Sequence, residues 1–237
     1  MDEVEWWEFG SRKELAEQAA GDVAFVIESA IEAHGGARLA LPGGPTPDPI
    51  YAALAESRGI DWSKVTILPT DDRLVPLDDA LSNHAKLSRF FAPLGAEIVS
   101  LVDEAALDNY REAGRLADQR LALLHWPLDL VMLGIGEDGH TASIFPGPDY
   151  DRAIAGPRER RAVGVRPDPM PEDAPVERVT LTAVAIGSAR AVMIVLEGAK
   201  KREVLERAIG QGPLSDLPIG RVVAELDAAI DILWSPD

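Results

Sequence analysis

"LDLVMLGIGEDGHTASIFPG", residues 128–147, decides what kind of sheet this chain builds. A continuous apolar run, the signature of a strand covered on both faces, ends in Gly134-x-Gly136-x-x-Gly139. That spacing meets the G-x-G-x-x-G pattern of dinucleotide-binding domains, which requires a helix after the last glycine and an acidic strand end about 20 residues on. Here Pro146 and Gly147 interrupt within two turns, and no acidic strand end lies at that distance. The glycines are read instead as a tight turn at the carboxyl end of a strand, presenting His140 beside Asp138, Thr141 and Ser143.

Working outward, residues 37–43, 64–70, 96–101, 178–182, 191–198 and 229–234 are further short apolar runs and read as strands. Helical patterns lie between them. Residues 11–33 open on a capping-box pair, Ser11 and Glu14. In 103–124, Leu107, Tyr110, Gly114, Ala117, Leu121 and Leu124 form one stripe at helical spacing, and 198–212 reads as a helix ending at a capping Gly210. Alternation of apolar strands with helices predicts an α/β fold, a mainly parallel sheet in one domain spanning 1–237. The proline-rich stretch from Phe145 to Val176 reads as a long loop holding a short strand at 160–165.

Composition narrows the partners. With 23 basic and 40 acidic residues the formal charge is −17, which repels nucleic acid and anionic membrane surfaces and leaves a small anion held by a few converging cations. There is no cysteine, so disulfides and thiolate chemistry are excluded. No run approaches the ~20 apolar residues of a membrane span, and the acidic N-terminus lacks a signal-like apolar stretch, so a cytoplasmic protein is expected.

Ligands of open α/β sheets collect at the carboxyl ends of strands. "LALPGGPTPDPI" (39–50) runs from a strand through Gly43, Gly44 and Thr46 into a helix start. That suits either a phosphate cradle or a plain turn, and Pro42 and Pro45 each remove a backbone donor. "ILPTDDRLVPLDDALSNH" (67–84) sends Asp71, Asp72 and Arg73 out of a strand end towards a Ser82-Asn83 helix cap, as a surface turn or as an arginine poised for phosphate. At the third end, His140 is the one histidine of four in a glycine-framed turn. Imidazole, with an ordinary pKa of ~6.5, suits a general base near neutrality. Asp138 and His140 alone make no metal set, so neither metal nor cofactor is expected.

Taken together, "PGGPTP" (42–47), "DDRLVPLDDALSN" (71–83) and "GIGEDGHTASIFPG" (134–147) resemble the 6-phosphogluconolactonase family, with weaker matches at "RVTLT" (178–182) and "GAKKREVL" (198–205). The family pattern has serine where this chain has Pro42 and Pro45, and glutamate where it has Asp72. The resemblance implies a three-layer α/β/α sandwich with a modified Rossmann-like sheet, the fold of ribose-5-phosphate isomerase and glucosamine-6-phosphate deaminase. It implies hydrolysis of a phosphosugar lactone in the oxidative pentose phosphate pathway by a monomer or small homo-oligomer. His140 would activate water, and Asp71 would orient Arg73 or the sugar hydroxyls. Arg73 and Lys201, the latter preferred over Lys200 by its spacing from Gly198, would bind phosphate or offset developing charge. Gly43, Gly44, Thr46, Asn83 and Gly136 would complete the binding set. A glucosamine-6-phosphate deaminase is the nearest alternative, but "TASIFPG" lacks that group's Asn-Glu pair after the histidine. A non-catalytic sugar-phosphate sensor would need no base.

Overall fold

The computed structural model describes residues 4–226 and 230–236. Its first half runs β1 (Val4–Glu8), α1 (Arg12–His34), β2 (Ala37–Leu41), α2 (Asp48–Ala55), β3 (Val65–Pro69), β4 (Asp71–Arg73), α3 (Asn83–Phe91), β5 (Glu97–Ile98) and α4 (Tyr110–Leu121). The second runs β6 (Leu130–Leu133), α5 (Tyr150–Ile154), β7 (Ala162–Val165), β8 (Arg178–Leu181), α6 (Ala183–Gly187), β9 (Val192–Glu197), α7 (Ala199–Gln211), α8 (Pro218–Ala224) and β10 (Ile230–Ser235). Ala229, the first residue of the expected last strand, lies outside the described residues.

Seven strands form one sheet in the order β1-β10-β9-β6-β2-β3-β5, every neighbouring pair parallel. Alternate residues of each strand face opposite layers. Leu39 and Leu41, Leu130 and Met132, and Met193 and Val195 pack with α1, α2 and α3. Ala40, Val131, Leu133, Val192 and Ile194 pack with α4, α7, α8 and a second sheet. Leu39 stands beside Ile67 on one side and Leu130 on the other, so the register keeps all three on one face. Burial on both sides is why these strands read as continuous apolar runs, and the fold is the expected α/β/α sandwich.

The second sheet, β4-β8-β7, is antiparallel and corrects two expectations. "RVTLT" is a strand, but it belongs here and not in the parallel sheet. Asp71-Asp72-Arg73 is no turn either. Thr70 is the pivot: its N–H donates to Leu41 O in the parallel sheet at 3.0 Å, and its C=O accepts from Leu181 N in the small one at 2.9 Å. The strand within the proline-rich stretch is β7, and α5 adds a short helix to a segment expected to be loop.

Helix boundaries differ modestly. Ser11 caps α1 by accepting from Glu14 N, while Glu14 returns to Gly10 N rather than to Ser11 itself. The 103–124 pattern is a 3-10 turn over Glu104–Ala106 and then α4. Gly210 lies inside α7, and Gly212 caps it with φ of 59°. Gly114 in the α4 stripe has a steric reason: a Cβ there would fall 1.9 Å from Gly164 N, and one on Gly164 would fall 1.6 Å from Tyr110 O. Helix and strand therefore touch backbone to backbone. Gly164→Ala should destabilise the fold by about 2–3 kcal/mol, because neither partner is a side chain that can move aside. Urea unfolding measures this, and an unchanged midpoint would show that α4 lifts off β7 freely.

Candidate active site

After β2 the chain moves outward to β3 and β5, then returns beside β2 with β6 and continues the other way through β9 and β10. The strand order therefore reverses between β2 and β6, and a crevice opens beyond their carboxyl ends. Four adjacent strands deliver the segments singled out above: β2 the loop 42–47, β3 the Asp71–Arg73 segment, β6 the turn 134–140, and β9 the start of α7. They enclose a cleft of about 270 Å³. Gly43, Gly44, Thr46, Asp71, Arg73, Asn83, Gly136, His140 and Lys201 all line it. Lys200 points away to an exposed pair with Glu137 at 3.7 Å.

The glycine turn is built around one imidazole. Gly139 has φ of 81°, and its N–H donates to Gly136 O at 3.0 Å, while Gly136 N donates to His140 O at 2.9 Å. A Cβ on Gly136 would lie 2.3 Å from the His140 ring and 2.5 Å from Asp138 Oδ1, so only glycine leaves room for that pair. Asp138 Oδ1 lies 2.5 Å from His140 Nδ1 and accepts from His140 N at 3.2 Å. Burial works to raise the Asp138 carboxyl. The hydrogen bond and charge of His140, with backbone donors, outweigh it and hold the group below its ordinary range. An ionised Asp138 accepts a hydrogen bond from Nδ1–H, which keeps the proton on that nitrogen and leaves Nε2 as the basic one. The ring stacks on Phe145 at 4.2 Å between centroids. Ala142, two residues on, sits at φ of 48°, a conformation that L residues seldom adopt.

The β3–β4 segment is anchored by two buried carboxylates. Asp72 accepts from Arg73 N at 2.9 Å, Asn83 N at 2.6 Å and His84 N at 3.0 Å, which ties β4 to the start of α3. Burial pushes its carboxyl up to about 6, with these donors opposing and the neighbouring Asp71 reinforcing the rise. Asp71 accepts from Ser143 Oγ at 2.5 Å and from Thr70 Oγ1 at 3.3 Å. No ion pair joins Asp71 to Arg73 among the described residues, because Arg73 Nη1 donates instead to Leu81 O at 2.8 Å. Asp71 as the group that orients Arg73 is therefore corrected: a backbone carbonyl holds the guanidinium. Asn83 Nδ2 donates to Asp71 O at 2.7 Å, and its side chain packs against Gly43.

Two cleft residues escaped the sequence reading. Arg178, 4% exposed at the start of β8, lines the cleft with its guanidinium 5.4 Å over the Phe145 ring. Burial lowers its pKa, with Asp71 opposing. Asp173 reaches the cleft from the proline-rich segment. The Nε atoms of Arg73 and Arg178 are both buried without a protein partner. A buried, unsatisfied donor is uncommon, and two in one cleft suit an anionic ligand. The arrangement can hold an anion on three cations and present a base beside it. Among the described residues no three His, Asp or Glu side chains gather as a metal site, and no helix is long and apolar enough to cross a membrane.

The profile of the family described as glucosamine-6-phosphate isomerases/6-phosphogluconolactonase matches residues 10–234. A 6-phosphogluconolactonase of Rhizobium meliloti (strain 1021) is 35% identical over 229 residues, which cover 96% of this chain and 97% of its own. One from Caulobacter vibrioides is 34% identical over 96% of this chain and 95% of its own. The crystal structure of a 6-phosphogluconolactonase from Shewanella baltica OS155 is similar with a TM-score of 0.87 at 29% identity, covering 99% of this chain and 98% of that one.

Proposed function

Because the chain belongs to the glucosamine-6-phosphate isomerase/6-phosphogluconolactonase family, we propose that it hydrolyses 6-phospho-D-glucono-1,5-lactone to 6-phosphogluconate in the oxidative pentose phosphate pathway. The observation that carries this reading is the convergence, at four adjacent strand ends, of an aspartate-paired imidazole with Arg73, Arg178 and Lys201.

His140 Nε2 takes a proton from water as its oxygen bonds to the lactone carbonyl carbon. The bond from that carbon to the ring oxygen then breaks, and the ring oxygen receives the proton from the imidazolium. Asp138 stabilises that imidazolium and fixes its orientation. The Gly43, Gly44 and Thr46 amides with Arg73 and Lys201 hold the phosphate. Asp71 and Asn83 face the sugar hydroxyls, and Gly136 gives the imidazole its room. Arg178, next to Phe145 and so at the His140 end, adds positive charge where the attacked carbonyl becomes negative. The enzyme works in the cytoplasm as a monomer or small homo-oligomer.

No step of this scheme uses a metal or cofactor. With freshly generated lactone, in a coupled assay corrected for spontaneous hydrolysis, turnover is expected with and without chelator. No acceleration over the spontaneous rate would overturn the function. Loss in chelator, restored by a divalent ion, would overturn the mechanism.

A further inference from the structure

The loop 42–47 carries three prolines and so has few donors to offer an anion. The amides of Gly43, Gly44 and Thr46 donate to no protein atom among the described residues. Three carbonyls of the loop, in contrast, are taken from outside the cleft. Pro42 O accepts from the buried Tyr51 hydroxyl at 2.6 Å. Gly44 O accepts from Lys86 Nζ at 2.5 Å, and the same ammonium pairs with Asp48 at 2.7 Å. Pro45 O accepts from Arg12 Nη2 at 2.8 Å, while Arg12 Nε pairs with Glu197 Oε1 at 2.9 Å. Neither Arg12 nor Lys86 lines the cleft.

We infer that Lys86 and Arg12 are positioning residues, which hold the Gly44 and Pro45 carbonyls of this proline-rich loop away from the phosphate, Arg12 thereby turning the Thr46 amide towards it. A peptide unit is planar, so a carbonyl fixed on one side fixes the following N–H on the other. Lys86 holding Gly44 O fixes the Gly44–Pro45 unit, which has no N–H but whose carbonyl is thereby kept off the phosphate, and Arg12 holding Pro45 O directs the Thr46 amide. Arg12 does more. Glu197 ends β9, four residues before Lys201, so one guanidinium spans from the glycine loop to the segment that supplies the lysine. It sets the width of the pocket between them. A lysine lacks the spread between Nε and Nη2 that lets the guanidinium reach both partners, so its single ammonium makes the two contacts less well. Without these two cations the Gly44 and Pro45 carbonyls, which repel phosphate, lose the side chains that hold them outward.

The inference rests on the loop being the phosphate site, and inorganic phosphate is the probe that separates the two ideas. In the wild-type enzyme, phosphate should inhibit competitively with the lactone. In Lys86→Met, KM and the phosphate inhibition constant should both rise about tenfold with kcat within about twofold, and Lys86→Arg should restore most of the loss. Arg12→Lys should raise both constants about threefold. Wild type that phosphate does not inhibit would overturn the phosphate site itself and the inference with it. Inhibited wild type with variants that match it would overturn the inference alone. So would a fall in kcat that tracks a fall in thermal midpoint, since that marks general support of the fold.

Discussion

Replacing His140 with alanine is expected to lower kcat by about 10²–10⁴-fold, the contribution of a positioned general base, while 6-phosphogluconate still binds. Binding should survive because the cations lie on other elements: Arg73 on β4, Arg178 on β8, Lys201 on α7. The fold should survive because the ring is partly exposed and its stacking partner Phe145 belongs to the same turn. Water and lactone would remain in place with nothing to accept the proton. Steady-state kinetics of the variant, with product affinity from titration calorimetry, checks both halves. Near-full kcat would move the base elsewhere, and Asp71 is then the next candidate. Its buried carboxylate already accepts a short hydrogen bond from Ser143 and lines the same cleft.

Much of this arrangement was legible in the chain because it lies where local chemistry is unusual. A histidine among glycines, and charges at the end of an apolar run, contradict what a buried strand would otherwise choose. Those contradictions located the β3 and β6 ends, paired glycines before a helix start marked the β2 end, and the spacing from Gly198 favoured Lys201 over Lys200. The residues that escaped obey no such rule. Arg178 opens a strand, where a charge is ordinary. Only the second sheet, folding across the first after Thr70, brings it back over Phe145. β4 was unreadable because three polar residues in a row look like a turn. Their burial depends on Asp72 meeting the α3 amides, a contact between residues 11 and 12 positions apart. β1 was missed because an edge strand is covered on fewer sides, and its sequence, "VEWWE", mixes acids with tryptophans. Gly114 was read as one more apolar position. Its reason lies 50 residues away in Gly164, and helical spacing carries no trace of that.

Arg73→Ala is expected to weaken 6-phosphogluconate binding by about 10²–10⁴-fold, and Arg73→Lys by about 10–150-fold. A chain with net charge −17 gains nothing from long-range attraction, so an anionic ligand must be held by contacts at hydrogen-bond distance. Each charge-assisted hydrogen bond is worth about 1.5–3 kcal/mol, and an arginine fork supplies two to one phosphate. The guanidinium is already fixed by donation from Nη1 to Leu81 O, so little freedom is lost when the ligand arrives. A lysine at 73 keeps the charge but must divide one ammonium between that carbonyl and the phosphate, which is why its loss should fall near that of a single bond. Gluconate, without the phosphate, should bind weakly to wild type and hardly differ between the variants. Titrating both ligands against all three proteins measures the difference. If gluconate and 6-phosphogluconate lose affinity equally, Arg73 reads the sugar or supports the β3–β4 segment, and the phosphate then belongs to Lys201, Arg178 and the loop amides alone.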